Sequence, residues 1–72
     1  NVNTFRQNLQ IQYVTGLIAV IGSDDHDRIA KSAALYNLQN IREMMASKRN
    51  ANTESMAHAA HVILAIDKAL DV

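Results

Sequence analysis

The sequence predicts an all-α fold, an antiparallel up-down-up three-helix bundle, and three observations support this prediction. Proline is absent and there are only two glycines, whereas a sheet protein needs turn residues about every 8–12 positions. Apolar residues recur at spacings of three and four in three separate segments, which is typical of amphipathic helices. Two short polar stretches, 22–25 and 49–53, divide these segments. Connections this short place consecutive helices side by side in opposite directions.

The first helix is predicted over residues 4–21, with Thr4 as its N-cap. Gly22 is expected to end it in the left-handed conformation, which glycine adopts without a Cβ clash. Gly16 lies inside the helix at a cost of about 1 kcal/mol relative to alanine. Either another surface approaches closely there, or the position is exposed and tolerates glycine. The helix carries two adjoining apolar rows, one with Phe5, Leu9, Tyr13, Leu17 and Val20 and the other with Ile11, Val14, Ile18 and Ile21.

The second helix is predicted over residues 24–47, with Ser23 or Asp24 as its N-cap. Acidic residues at its start suit the positive end of the helix dipole. The residues expected to face the core are Ile29, Ala33, Tyr36, Leu38, Ile41, Met44 and Met45.

The third helix is predicted over residues 53–70, with Asn52 or Thr53 as its N-cap and Glu54 in its first turn. Its apolar stripe is made of Met56, Ala59, Ala60, Ile63, Ile66 and Leu70, widened by Val62 and Ala69. The three apolar faces are expected to shield one another in a single helical domain covering residues 1–72.

Charge and hydropathy argue against two classes of partner, nucleic acids and membranes. Seven basic and seven acidic residues give a formal net charge of zero, and the basic residues are scattered, so nucleic-acid binding is not expected. No apolar run approaches the roughly 20 residues that cross a bilayer, so membrane insertion is not expected either. The chain has no cysteine, and its first residue is Asn1, from which we expect a piece of a longer protein or a processed one.

His58 and His61 are the best candidates for a metal site. Their spacing of three residues places both rings on one side of the third helix, one turn after Glu54. A stable zinc site needs three or four ligands with fixed partners, and the other histidine, His26, lies at the start of a different helix. We therefore expect two half-exposed surface histidines and no bound metal.

Other kinds of chemistry lack a motif in this sequence. The acidic stretch of Asp24, Asp25 and Asp27 superficially resembles a calcium loop, but an EF-hand needs a glycine within the loop and a glutamate at its twelfth position. Helix capping explains these residues better. No serine lies in a glycine-flanked elbow, and two glycines are too few for a phosphate-cradling loop. No catalytic residue and no cofactor are predicted.

One resemblance extends along most of the chain. The run Arg6-Gln7-Asn8-Leu9-Gln10, followed by Tyr13-Val14 and Leu17-Ile18, resembles the start of the helical C-terminal segment of large bacterial zinc-dependent metalloproteases. The ending Ile66-Asp67-Lys68-Ala69-Leu70 is similar to the last helix of that segment. These proteases carry an extended HExxHxxGxxH zinc motif upstream, so the resemblance carries no zinc ligand or general base onto any residue of this chain.

The resemblance implies a non-catalytic helical accessory domain of a zinc metalloprotease, exported to the periplasm or the outside of the cell. Zinc would belong to the parent protein, and the partner of this domain would be the rest of that chain. The alternative is an independent module that self-associates or binds another protein through a helical groove. A third hypothesis is a bundle that binds a metal or ligand through His58 and His61.

Overall fold

The computed structural model describes residues 2–25, 27–49 and 51–71, and it confirms the all-α three-helix bundle. The helices are α1 (Val2–Gly22), α2 (Arg28–Ala46) and α3 (Thr53–Leu70). Each helix contacts the other two. Short connections reverse the chain between consecutive helices, so that α1 and α3 run in the same direction and α2 runs against both.

The start of α2 differs from its prediction. The helix begins at Arg28, and Asp27 is its N-cap: one carboxylate oxygen accepts a hydrogen bond of 2.7 Å from the backbone N–H of Ala30. Ser23 is engaged elsewhere, because its hydroxyl accepts a hydrogen bond of 3.1 Å from the backbone N–H of Asp25. Capping by Ser23 or Asp24 is therefore wrong, and the acidic stretch forms a turn before the helix.

The two ends of α1 also differ from expectation. The helix begins at Val2, so Thr4 lies within its first turn and is not the N-cap. Gly22 is the last helical residue, one position beyond the predicted end at residue 21, and no described glycine has a positive φ. The end of α1 thus does not use the left-handed conformation.

The ends of α3 are defined by two capping residues. Asn52 is the N-cap, as predicted, with its side-chain oxygen 2.8 Å from the backbone nitrogen of Ser55. At the other end, Asp71 adopts the left-handed conformation, with φ 57°. Its N–H reaches the carbonyl oxygen of Lys68 at 3.4 Å, which helps to close the last turn.

The core is formed by one row from each helix. α1 contributes Val14, with Ile11, Ile18 and Ile21 partly buried around it. These are the members of the second predicted row, so this row packs on the bundle while the first row largely does not. The buried apolar residues of the core cluster are Val14, Leu38, Ile41, Met45, Ala59, Val62 and Ile66.

Several predicted core residues lie on the outside. On α2 the buried row contains Ala34, which the sequence did not single out, together with Leu38. Ile29 is 81% exposed, because it lies on the side of α2 opposite to this row. The same correction applies to the other residues expected in the core and found exposed, namely Phe5, Leu9, Tyr13, Ala33, Tyr36, Met44, Met56, Ala60 and Ala69.

An ion pair joins α2 and α3. The Arg42 guanidinium donates two hydrogen bonds to the Asp67 carboxylate, with N···O distances of 2.5 and 3.1 Å. These hydrogen bonds hold the pKa of Asp67 below its ordinary range. The two-point geometry fixes the rotation of the helices more than a single contact would, since both oxygens and two nitrogens are positioned at once.

Candidate functional site

His58 is a buried contact between α3 and α1. The residue is 9% exposed, and Nε2 of its ring lies 2.6 Å from the side-chain oxygen Oε1 of Gln10. Because an amide oxygen only accepts hydrogen bonds, Nε2 donates and the neutral ring carries its proton there. The prediction of a half-exposed surface histidine is therefore wrong for His58. The sequence did contain a signal, since His58 precedes the buried Val62 and Ile66 by one and two helical turns.

The surroundings of His58 favour its neutral form. Burial lowers the pKa of His58 below its ordinary value of 6.5, and the positive charges of Lys48 and His61 lower it further. Gln10, its hydrogen-bond partner, carries no charge that would offset these effects. This setting favours the neutral ring, and its hydrogen bond to Gln10 links α3 to α1.

The predicted pair of imidazoles is not assembled into a metal site. His61 is exposed, whereas the Nε2 atom of His58 is occupied by Gln10. Glu54 is exposed in the first turn of α3. In residues 2–25, 27–49 and 51–71, no group of three or more His, Cys, Asp or Glu side chains is arranged to hold a metal ion. His26 lies outside the described residues.

The acidic stretch before α2 has a structural role at one of its members. Asp27 caps the helix, while Asp24 and Asp25 are exposed. The interpretation of these residues as a helix start rather than a calcium loop thus agrees with the position of Asp27. It was the choice of capping residue that was wrong.

The outer face of α1 carries an apolar strip that no other described helix covers. We call it the α1 ridge: Val2, Phe5, Leu9 and Tyr13, each between 48% and 64% exposed. Their spacings of three, four and four residues place them in one row on the helix surface. The ridge extends for about 16 Å along the helix, at about 1.5 Å per residue. Arg6 is the one charged residue of α1.

Gly16 continues the ridge toward the C-terminal end of α1. It is exposed, and no neighbouring atom lies within 4 Å of the position that a Cβ would occupy. A close approach of α2 or α3 therefore does not explain this glycine. Within the bundle, Gly16 is therefore an exposed glycine that the helix tolerates. The other explanation, close approach of another surface to Gly16, applies only to a surface outside these three helices.

Comparison with protein-family models, curated proteins and solved structures finds no match. Within the described part of the chain, no helix combines the length and the apolar character needed to cross a membrane. The features of the fold that bear on function are the α1 ridge and the polar surroundings of His58.

Proposed function

We propose that this chain is a non-catalytic helical accessory domain that packs through the α1 ridge against the rest of a larger protein. The observation that carries the proposal is the exposure of the ridge itself. Contiguous apolar surface rimmed by polar residues marks interaction sites in proteins. A helix that is apolar on two opposite sides is typical of one that is covered on both, and α2 and α3 cover only one side of α1.

The size of the ridge favours a covalently attached partner over a second copy. Its four side chains leave about 400 Å² exposed, given that a large aromatic side chain offers about 150–250 Å². A stable complex between separate chains buries about 800 Å² per partner. A tether supplies an effective concentration in the millimolar range, so that a smaller contact suffices within one chain.

We further propose that the parent is a zinc-dependent metalloprotease of the kind that the sequence resembles. The support is the similarity of the first and last helices to the helical tail of those enzymes, from Arg6-Gln7-Asn8-Leu9-Gln10 to Ile66-Asp67-Lys68-Ala69-Leu70. In this proposal zinc and the catalytic residues belong to the parent, and this domain contributes packing. An HExxHxxGxxH motif upstream in the parent chain is expected, and a parent without one would contradict this part of the proposal.

The docking role is tested by a double variant of the ridge, Phe5→Ser with Leu9→Gln, introduced into the parent protein and into the isolated domain. In the parent, the expected result is a lower thermal midpoint and faster proteolytic release of this domain, because the ridge loses its apolar contact. In the isolated domain, circular dichroism and thermal unfolding should change little, since both side chains face water there.

The matched control is Ile29→Gln with Leu64→Gln, which removes two exposed apolar side chains from other surfaces. It should leave the parent unchanged. Equal behaviour of the ridge and control variants in the parent would contradict the proposal. A dimer of the isolated domain in sedimentation velocity, abolished by the ridge variant alone, would instead assign the ridge to self-association.

A further inference from the structure

A polar cleft lies at the end of the bundle where the first half of α1 meets the end of α2 and the start of α3. Its volume is about 300 Å³. Arg6 on α1 and Lys48 just after α2 bring nitrogen donors to it, and His58 on α3 lines it as well. The remaining lining residues are Asn3, Gln7, Gln10, Met45 and Ser55.

The cleft has positive charge, and among the described residues that line it there is no aspartate or glutamate. Neither Arg6 nor Lys48 forms an ion pair with any residue in the described part of the chain, where the one ion pair is Arg42 with Asp67. Glu54, in the first turn of α3, is exposed and does not line the cleft.

Two side chains that line the cleft, His58 and Gln10, are already held in position before a ligand binds. His58 is held by its hydrogen bond to Gln10, so the ring does not have to be ordered when a ligand arrives. The Gln10 amide uses its oxygen in this contact, which leaves its NH₂ group as a donor. Lys48 lines the same cleft as His58, and its charge contributes, after burial, to the lowered pKa of the ring.

We propose that this cleft binds a phosphate group, either as the inorganic dianion or as a small phosphate monoester. Two cations, one on α1 and one just after α2, match the charge of a phosphate dianion, and charge-assisted hydrogen bonds are the strongest that such an ion makes. The neutral amides and the Ser55 hydroxyl supply further donors. This inference does not depend on the docking of the α1 ridge, because the cleft is formed within the bundle.

The chemistry of the lining decides against other ligands. A divalent metal would be repelled by Arg6 and Lys48, whose charges are not offset by an Asp or Glu among the described lining residues. A carboxylate ligand would neutralise only one of the two cations. A nucleic-acid backbone requires a track of cations along many phosphates, whereas these cations converge on one cleft in a chain of zero net charge.

The test is a titration of the ¹⁵N-labelled domain with inorganic phosphate at pH 7, followed by NMR. The expected result is a saturable shift of the signals of Gln7, Gln10, Lys48 and Ser55, together with a rise in the pKa of the His58 ring. A parallel titration with phenyl phosphate distinguishes a monoester ligand from the free ion by tighter binding. Acetate is expected to bind more weakly than either.

The decisive variants are Arg6→Gln and Lys48→Gln, each of which removes a cation that makes no ion pair in the described fold. Each is expected to weaken phosphate binding by about tenfold or more, because a charge-assisted contact is lost. The matched control is Arg28→Gln with Lys31→Gln, which removes two cations from a different cleft, beside Ile21 and Leu35. Circular dichroism checks that every variant stays folded.

Two results would overturn the proposal. One is the absence of saturable shifts at the cleft at phosphate concentrations up to tens of millimolar. The other is an equal loss of binding in the Arg28→Gln, Lys31→Gln control, which would show that phosphate binding depends only on the overall charge of the protein.

Discussion

The two faces of α1 have similar compositions but different environments. The inner face places Ile11, Val14 and Ile18 against α2 and α3, while the outer face leaves Phe5 and Leu9 in water. Both rows satisfy the helical spacing equally well. Apolar periodicity therefore identifies a helix, but the helices that pack against it decide which of two apolar rows is buried in the core.

The same contrast is present in α2, where Leu38 is buried and Ile29 is exposed on the opposite side. The largest expected change in stability is at Leu38, and Ile29 is its exposed counterpart. Leu38→Ala should lower the free energy of unfolding by about 2–5 kcal/mol, because it leaves a cavity at a fully buried position. Ile29→Ala should change the free energy of unfolding by no more than about 0.5 kcal/mol. Urea denaturation followed by circular dichroism measures both, and equal losses would mean that the assignment of buried and exposed rows is wrong.

A smaller effect is expected at Gly16 on the outer face of α1. Gly16→Ala should raise the stability of the isolated domain by up to about 1 kcal/mol, since alanine is the better helix former and nothing lies near the new Cβ. Thermal unfolding of the isolated domain measures this gain. A loss of stability would show that a neighbouring surface, such as a second copy of the chain, already covers the outer face there.

The smallest effect concerns the polar end of the inner face, where Gln10 contacts His58. Because the folded state lowers the pKa of His58 below 6.5, the unfolded chain binds a proton more readily, and stability falls as the pH drops through about 6.5. Above about pH 6.5 the contribution of the neutral His58 ring to stability is fully present. NMR titration of the ring should give a pKa under 6.5, and denaturation at pH 7.5 and pH 5 should show the loss.

The exposed His61 provides the control for this effect. His61→Gln should retain most of the pH dependence, whereas His58→Gln should remove much of it. A pKa of His58 at or above 6.5 would contradict the environment that the structure gives the ring.

Local patterns predicted the fold because they act within a few residues. The three helices, the Asn52 cap and the burial of Leu38, Ile41 and Ile66 all follow from spacing and capping chemistry. The start of α2 was placed too early because Ser23, Asp24 and Asp27 are all good capping residues, and local sequence does not rank them.

The polar cleft depends on contacts that local patterns do not encode. His58 and Gln10 are 48 residues apart in the sequence, and Arg6 and Lys48 meet the same cleft only because α1 and α2 are packed side by side. The position of His58 in the apolar row of α3 did indicate that it is buried. Its partner and the charges around it become visible only after the helices are assembled.

The scarcity of charge in α1 has a consequence for how the two surfaces respond to ionic strength. The ridge side chains are uncharged and Arg6 is the one ionic group of the helix, so dissolved sulfate or similar salts should strengthen apolar docking there. The cleft depends on two cations, and at about 1 M salt the Debye length shrinks to about 3 Å, which screens them. Raising the salt concentration should therefore tighten one contact while loosening the other, within the same small domain.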